Sequence, residues 1–218
     1  MSDLVALIPV LDEPGVLERL TTPLAGRGAL AHTFTSLRRD LPDTTIIMTT
    51  DSETLCAHVK SEFPFVRVHN RTRRDYVGSL VDALDILPTE PRSVLVLEAT
   101  HPFRPAGMLT KLAQGLVNHA GMDSVVCVRQ IKGMLWRTGA DGEISPAQEP
   151  DDPSPPIFFQ EVVGLGLATR PALLRQGRRL GDNVGFEVLD DIWSLADLRD
   201  DRGVRRAQSL ASMLSEVE

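Results

Sequence analysis

The stretch Leu4-Val5-Ala6-Leu7-Ile8-Pro9-Val10 is an uninterrupted apolar run of strand length, stopped by Asp12, Glu13, Pro14 and Gly15. A strand that is apolar at every position has both faces covered, which is the mark of a parallel sheet lying between helices. Ser93-Val94-Leu95-Val96-Leu97, ended by Glu98, repeats the pattern in mid-chain. Two such strands restrict the fold to α/β architectures, in which strands alternate with amphipathic helices.

The remaining periodicity agrees. Residues 29–40 read as a helix, and Thr44–Thr50, rich in β-branched residues, reads as a second strand. Asp51-Ser52-Glu53 opens a helix to about Glu62, with acidic residues where the helix dipole favours them. A short strand at Phe65–Val68, a helix at Gly78–Leu87, a helix at Pro105–Ala120 and a strand at Ser124–Val128 follow. The expected fold is therefore a doubly wound, mostly parallel, Rossmann-like sheet, formed as one domain over residues 1–218. Ligands of such sheets bind beyond the carboxyl ends of the strands, which directs attention to residues 9–28, 50–53, 69–75 and 98–104.

After Val128 the alternation breaks. Met134–Thr138 and Glu143–Ser145 read as a hairpin across Gly139-Ala140-Asp141-Gly142, and the four prolines of Glu149–Pro156 exclude regular structure there. Approximately residues 130–165 form an inserted β-rich arm in this reading. Ile157–Thr169 returns to strand character, and short helices are expected at Pro171–Gln176 and Arg205–Leu214.

Composition removes several function classes. With 23 Lys+Arg against 30 Asp+Glu, the net charge of −7 gives no general electrostatic reason to bind nucleic acid. No apolar run approaches the ~20 residues of a membrane span, and no basic region precedes the first apolar stretch as in a secretory signal. Cys56 and Cys127 are too few for a disulfide framework, so a cytoplasmic location with reduced thiols is expected. The five histidines are scattered, and no Walker loop, GxGxxG or GxSxG is present.

What remains is a set of polar residues at strand ends. Asp12-Glu13-Pro14-Gly15 with Arg19 follows the first strand, where a solvated surface loop is the plain alternative. Glu98-Ala99-Thr100-His101-Pro102-Phe103-Arg104 follows the mid-chain strand and is placed where ligands bind. Asp197-Leu198-Arg199-Asp200-Asp201 is either part of a site or the capped start of a helix. Arg71, Arg73 and Arg74 beside Asp75 are a compact basic cluster suited to a phosphate or carboxylate, or to solvent.

The order of these landmarks resembles that of the acylneuraminate cytidylyltransferases, the CMP-sialic acid synthetases and their relatives. Ala6-Leu7-Ile8-Pro9 and Pro23-Leu24-Ala25-Gly26 resemble that family's first strand and the stretch after its nucleotide loop. Thr50-Asp51-Ser52-Glu53 looks like its Thr-Asp motif. Arg71 to Asp75, with Asp82-Ala83-Leu84, resembles its Arg-rich segment. Glu98 to Arg104 sits where the family has Gln-Pro-Thr-Ser-Pro-Leu-Arg, Asp123-Ser124-Val125-Val126 is similar to its Asp-Ser-Val-Val strand, and Gln160 resembles a residue of its later half. Asp197-Leu198-Arg199-Asp200 falls on its Asp-Ile-Asp-Thr.

The resemblance implies transfer of CMP from CTP to a sugar acid or related acceptor, with release of pyrophosphate. It implies nucleotide contacts at Pro9, Gly15, Arg19, Arg71 and Asp75, and substrate contacts at Glu98, Thr100, His101, Arg104 and Gln160. It further implies catalytic roles for Arg19 and Asp197, Mg²⁺ on Asp197 and Glu98, and a homodimer joined through the arm, with Trp136, Phe158 and Phe159 as contact candidates.

The departures set a second expectation beside the first. Leu11, Asp12-Glu13-Pro14 and Leu20-Thr21 stand where the family carries the Arg, Gly-Ser, Lys and Lys-Asn that hold CTP. Two carboxylates within ~6 Å of a triphosphate repel it by about 1–3 kcal/mol at an effective dielectric near 20. Arg199 takes the place of the second aspartate, and an arginine cannot ligate Mg²⁺. A catalytically degenerate homologue acting as a binding or partner subunit is therefore the alternative. Another sugar-nucleotide enzyme, such as a glycosyltransferase, ranks third for want of an Asp-X-Asp at a strand end.

Overall fold

The computed structural model describes residues 3–119, 121–147 and 156–214. Strands β1 (Leu4–Val10), β2 (Thr45–Thr50), β3 (Arg67–Asn70) and β4 (Ser93–Val96) run parallel. They continue through β9 (Leu167–Thr169) and β5 (Ser124–Ile131) to β10 (Val184–Val188), in the order β10-β5-β9-β4-β1-β2-β3. Strand β9 is antiparallel to both neighbours, and β8 (Phe158–Glu161) pairs antiparallel with the outer half of β5. The sheet is thus mostly parallel with an α/β architecture, as the apolar runs require.

Alternation along the strands explains the layers. Ala6, Ile8 and Val10 of β1 join Phe34 and Leu37 of α2 (Ala29–Asp40), with Leu109, Leu112 and Leu116 of α5 (Met108–Asn118), in one core. Val5 and Leu7 point the other way, into a second core with Leu80, Ala83 and Leu84 of α4 (Tyr76–Asp85) and Leu174 of α6 (Pro171–Arg175). Fully burying side chains of this size contributes about 1.5–3 kcal/mol each, and both faces of the sheet use it. Ser52 caps α3 (Glu53–Glu62), its hydroxyl accepting from the Leu55 N–H. Asp75 does the same for α4 through the Gly78 N–H at 2.6 Å, and Asp200 accepts from the Gly203 N–H at the start of α7 (Asp201–Leu214).

Three elements differ from expectation. A six-residue helix α1 (Val16–Thr21) occupies the loop after β1, entered through Gly15 at φ 74°. Strand β3 lies two residues later than its apolar residues suggest, because Phe63 and Phe65 pack against Phe34 instead of pairing in the sheet. The edge strand β10 was not expected at all. The hairpin after Val128 exists as β6 (Trp136–Thr138) and β7 (Ile144–Pro146), a separate two-stranded sheet. The proline-rich stretch, apart from Pro156, lies outside the described residues. No described helix is long and apolar enough to cross a membrane.

Candidate active site

A cleft of about 370 Å³ opens at the carboxyl ends of β1 and β4. Its walls are the loop after β1, the loop between β3 and α4, the segment after β4, and Arg199.

The first wall is built on itself. The Asp12 N–H donates to the Asp51 carboxylate at 2.7 Å, tying the loop to the turn after β2. Arg19 curls back, its Nη1 donating to the Pro14 carbonyl at 2.9 Å and its Nη2 lying 3.8 Å from the Glu13 carboxylate. Pro9, Arg19 and Glu13 line the cleft. Gly15 instead borders a neighbouring concavity with Asp12 and Glu13.

In the second wall, the residues that resemble nucleotide contacts are occupied with local structure. Arg71 is 6% exposed, and it donates through Nε to the Arg73 carbonyl and through Nη2 to the Arg74 carbonyl. Those bonds shape the loop that Asp75 then caps, so neither residue offers the cleft the open phosphate grip that the basic cluster suggested. Arg71, so engaged, lines the cleft together with Arg74, 3.9 Å from Asp51 with its side chain 71% exposed, and Tyr76. Burial and the nearby Glu98 carboxylate push the Tyr76 hydroxyl pKa well up.

The third wall rests on a short excursion between β8 and β9. The chain leaves β5 at Val162 and rejoins it at Gly166. In between, Val163, Gly164 and Leu165 point their carbonyls at the segment after β4. The Glu98 N–H donates to Gly164 at 2.8 Å, His101 Nε2 to Val163 at 2.9 Å, and Arg104 Nε to Leu165 at 2.9 Å. Arg104 also donates to the Glu98 and His101 carbonyls and to the Thr33 hydroxyl, and burial lowers its pKa to about 10. His101 is buried, and burial followed by the Arg104 charge lowers its pKa to about 4. The histidine is neutral, so its 3.8 Å approach to Asp197 is not an ion pair at neutral pH.

Among the expected substrate contacts, only Glu98 and Thr100 line the cleft. His101 and Arg104 lie beneath it as supports. Gln160 sits on β8, its amide oxygen accepting from Arg129, and is not part of the cleft wall.

The fourth wall joins the two carboxylates that the resemblance assigns to magnesium. Arg199 Nη2 donates to Glu98 Oε2 at 2.6 Å and to the Val163 carbonyl at 2.8 Å, while its Nη1 lies 3.3 Å from Asp197 Oδ2. Burial raises the Asp197 pKa, with Arg199 acting against it. A guanidinium therefore lies between Glu98 and Asp197, and among the described residues no group of three or more His, Cys, Asp or Glu side chains forms a metal cage. The donor set does not fit a protein-held Mg²⁺, which needs near-octahedral oxygen ligands.

Solved structures share this framework. CMP:2-keto-3-deoxy-manno-octonic acid synthetase, complexed with CTP, superposes with a TM-score of 0.75 at 10% identity, over 98% of this chain and 100% of that one. 4-Diphosphocytidyl-2C-methyl-D-erythritol synthase from Anaerococcus prevotii gives 0.71 at 12% identity, covering 97% and 96%. Another 4-diphosphocytidyl-2C-methyl-D-erythritol synthase gives 0.71 at 15%, covering 96% and 98%. The fold, a Rossmann-like, mostly parallel α/β sheet, is the one these synthetases share. No family model matches the chain, and no curated protein matches it in sequence. The likeness is one of fold; function has to be argued from the site.

Three of the cleft's arginines stand beside carboxylates, Arg19 by Glu13, Arg74 by Asp51, and Arg199 by Glu98 and Asp197, while Arg71 is engaged by backbone carbonyls. The sequence marked Arg199 as a departure from a motif but did not pair it with Glu98, 101 residues away. Tyr76 and the 162–166 excursion also escaped notice, since neither belongs to a recognisable spacing.

Proposed function

We propose that this chain is a cytidylyltransferase-like protein that takes a cytidine nucleotide in the cleft between β1, β4 and the loop before α4. The observation that carries the reading is the placement of Arg19 and Arg74 in the cleft wall, Arg74 in a stretched ion pair of 3.9 Å and Arg19 in one of 3.8 Å beside a single hydrogen bond from Nη1 to the Pro14 carbonyl. Exposed pairs of that kind are worth about 0–1 kcal/mol, so a phosphate competes for both guanidiniums at little cost. The corresponding reaction is attack of a sugar-acid hydroxyl on the α-phosphorus of CTP. A new P–O bond forms as the bond to the β-phosphate breaks, and pyrophosphate leaves. Arg19 and Arg74 take the phosphate charge, and Asp197, its pKa raised by burial, receives the hydroxyl proton.

A second reading, a nucleotide-binding or partner subunit without transfer, is favoured by the tight Arg199–Glu98 pair and by the acidic first loop. Titration calorimetry with CTP and CMP, followed by a pyrophosphate-release assay on a panel of 2-keto sugar acids, separates the two. Binding with release supports transfer, and binding without release on any acceptor supports the second reading. No binding of either nucleotide rejects transfer and nucleotide binding alike, leaving only a partner role. Homodimerisation belongs to the same proposal: Trp136, Ile144, Phe159 and Phe186 are exposed on the arm and on β10, and light scattering that returns only the 23.9 kDa monomer at high concentration rejects it.

A further inference from the structure

We infer that Arg199 stands where a divalent cation would, so that this cleft takes its nucleotide without a metal ion held by the protein. The ligand half of the inference rests on the proposed nucleotide reading; the metal half does not.

The geometry is restrictive. One guanidinium meets Glu98 Oε2 at 2.6 Å and approaches Asp197 Oδ2 at 3.3 Å, so both carboxylates already have their cation. A Mg²⁺ ion needs carboxylate oxygens at about 2.0–2.1 Å. Arg199 would have to withdraw to admit one, and the Val163 carbonyl, which accepts from Nη2 at 2.8 Å, would lose that donor. On the side of the excursion the pair is also closely packed. Gly164 has φ +94°, and a Cβ built on it would lie 2.7 Å from Glu98 Cδ and 2.8 Å from Arg199 Nη2. The excursion backbone therefore presses against the ion pair, and only glycine permits it to do so. The Glu98 side chain is 18% exposed and that of Asp197 30%, while Arg199 itself is 45% exposed, so the carboxylates are shielded and the guanidinium reaches them from the cleft side. A tethered guanidinium is a fixed monovalent charge that no chelator removes, unlike a bound ion.

The test uses two independent probes. The first is Mn²⁺ alone, followed by electron paramagnetic resonance. Wild type and Glu98→Gln should bind it indistinguishably, because the cleft holds none. Arg199→Asp, which turns the trio into three carboxylates, should gain a site at least about tenfold tighter. Arg199→Gln, which frees both carboxylates without adding one, should show a smaller gain and stands in if the aspartate variant does not fold. The second probe is CMP, which associates only weakly with Mg²⁺ in solution. Its affinity for wild type in EDTA and in millimolar Mg²⁺ should agree within about twofold. A wild-type Mn²⁺ site that disappears in Glu98→Gln, or CMP binding about tenfold or more tighter with Mg²⁺, overturns the inference. If CMP binds under neither condition, the proposed function fails, while the Mn²⁺ comparison still decides the role of Arg199.

Discussion

Acid should weaken this protein through His101 before it titrates most carboxylates. The imidazole is 2% exposed, its Nε2–H donates to the Val163 carbonyl, and its Nδ1 has no hydrogen-bond partner. Burial and the Arg104 guanidinium carry its pKa from 6.5 to about 4 in the folded state. The sign follows from proton counting. Between these values the unfolded chain binds the proton and the native state does not, so stability is complete above pH 6.5 and declines as pH falls towards 4. At about 1.4 kcal/mol per pH unit, the whole window costs roughly 3 kcal/mol, a large share of the ~5–15 kcal/mol that holds a typical domain. Urea unfolding from pH 7 to pH 4, for wild type and His101→Gln, isolates the effect, since the glutamine keeps an N–H for Val163 and cannot titrate. Asp197, whose raised pKa works in the opposite direction, is common to both proteins. The variant should start less stable and lose about 3 kcal/mol less than wild type over the window. Equal losses in the two proteins would refute the reasoning.

Other perturbations probe the same framework. Arg104→Met removes the donors to Leu165, Glu98 and Thr33 and should cost about 3–5 kcal/mol in chemical denaturation; Arg104→Lys should recover little of it, because an ammonium cannot fork to diverging carbonyls. Gly164→Ala meets both the strained φ and the Glu98–Arg199 pair, and a loss of about 1–3 kcal/mol is expected by thermal unfolding. Asp75→Ala should cost about 1 kcal/mol as a lost cap, whereas Asp75→Asn should be nearly neutral in both stability and CMP affinity. A sharp loss of CMP affinity in Asp75→Asn would return that residue to the nucleotide site.

The sheet was legible wherever burial on two faces left its mark. Apolar runs located β1 and β4, and helical spacing placed α2 over the same twelve residues that the structure shows. Short or half-exposed elements left no such mark. Helix α1 is six residues long and has no side-chain cap, and Phe186 and Val188 of β10 face outward on an edge. At the site, strand-end logic pointed to Pro9, Arg19, Glu98 and Thr100, and all four line one cleft. His101 and Arg104 lie beneath that cleft, and Arg71 lines it with its guanidinium bound to backbone carbonyls, because a polar residue near a strand end serves equally well to hold up a wall. Only packing distinguishes the two roles. The Arg199–Glu98 contact joins distant segments and is invisible to any local pattern.

The excursion from Val162 to Leu165 divides the chain into parts with different freedom to change. Upstream, β6 and β7 form their own small sheet, paired among the described residues with no strand of the main one, so the hairpin at residues 136–146 is open to lengthening, trimming or replacement by a foreign hairpin. The excursion has no such latitude: the carbonyls of Val163, Gly164 and Leu165 meet donors from two places in the chain, the 98–104 segment and Arg199. A single insertion there would move each acceptor away from its donor. Grafts that replace that hairpin should leave the cleft intact, and a library that varies 162–166 should return almost nothing but the starting length.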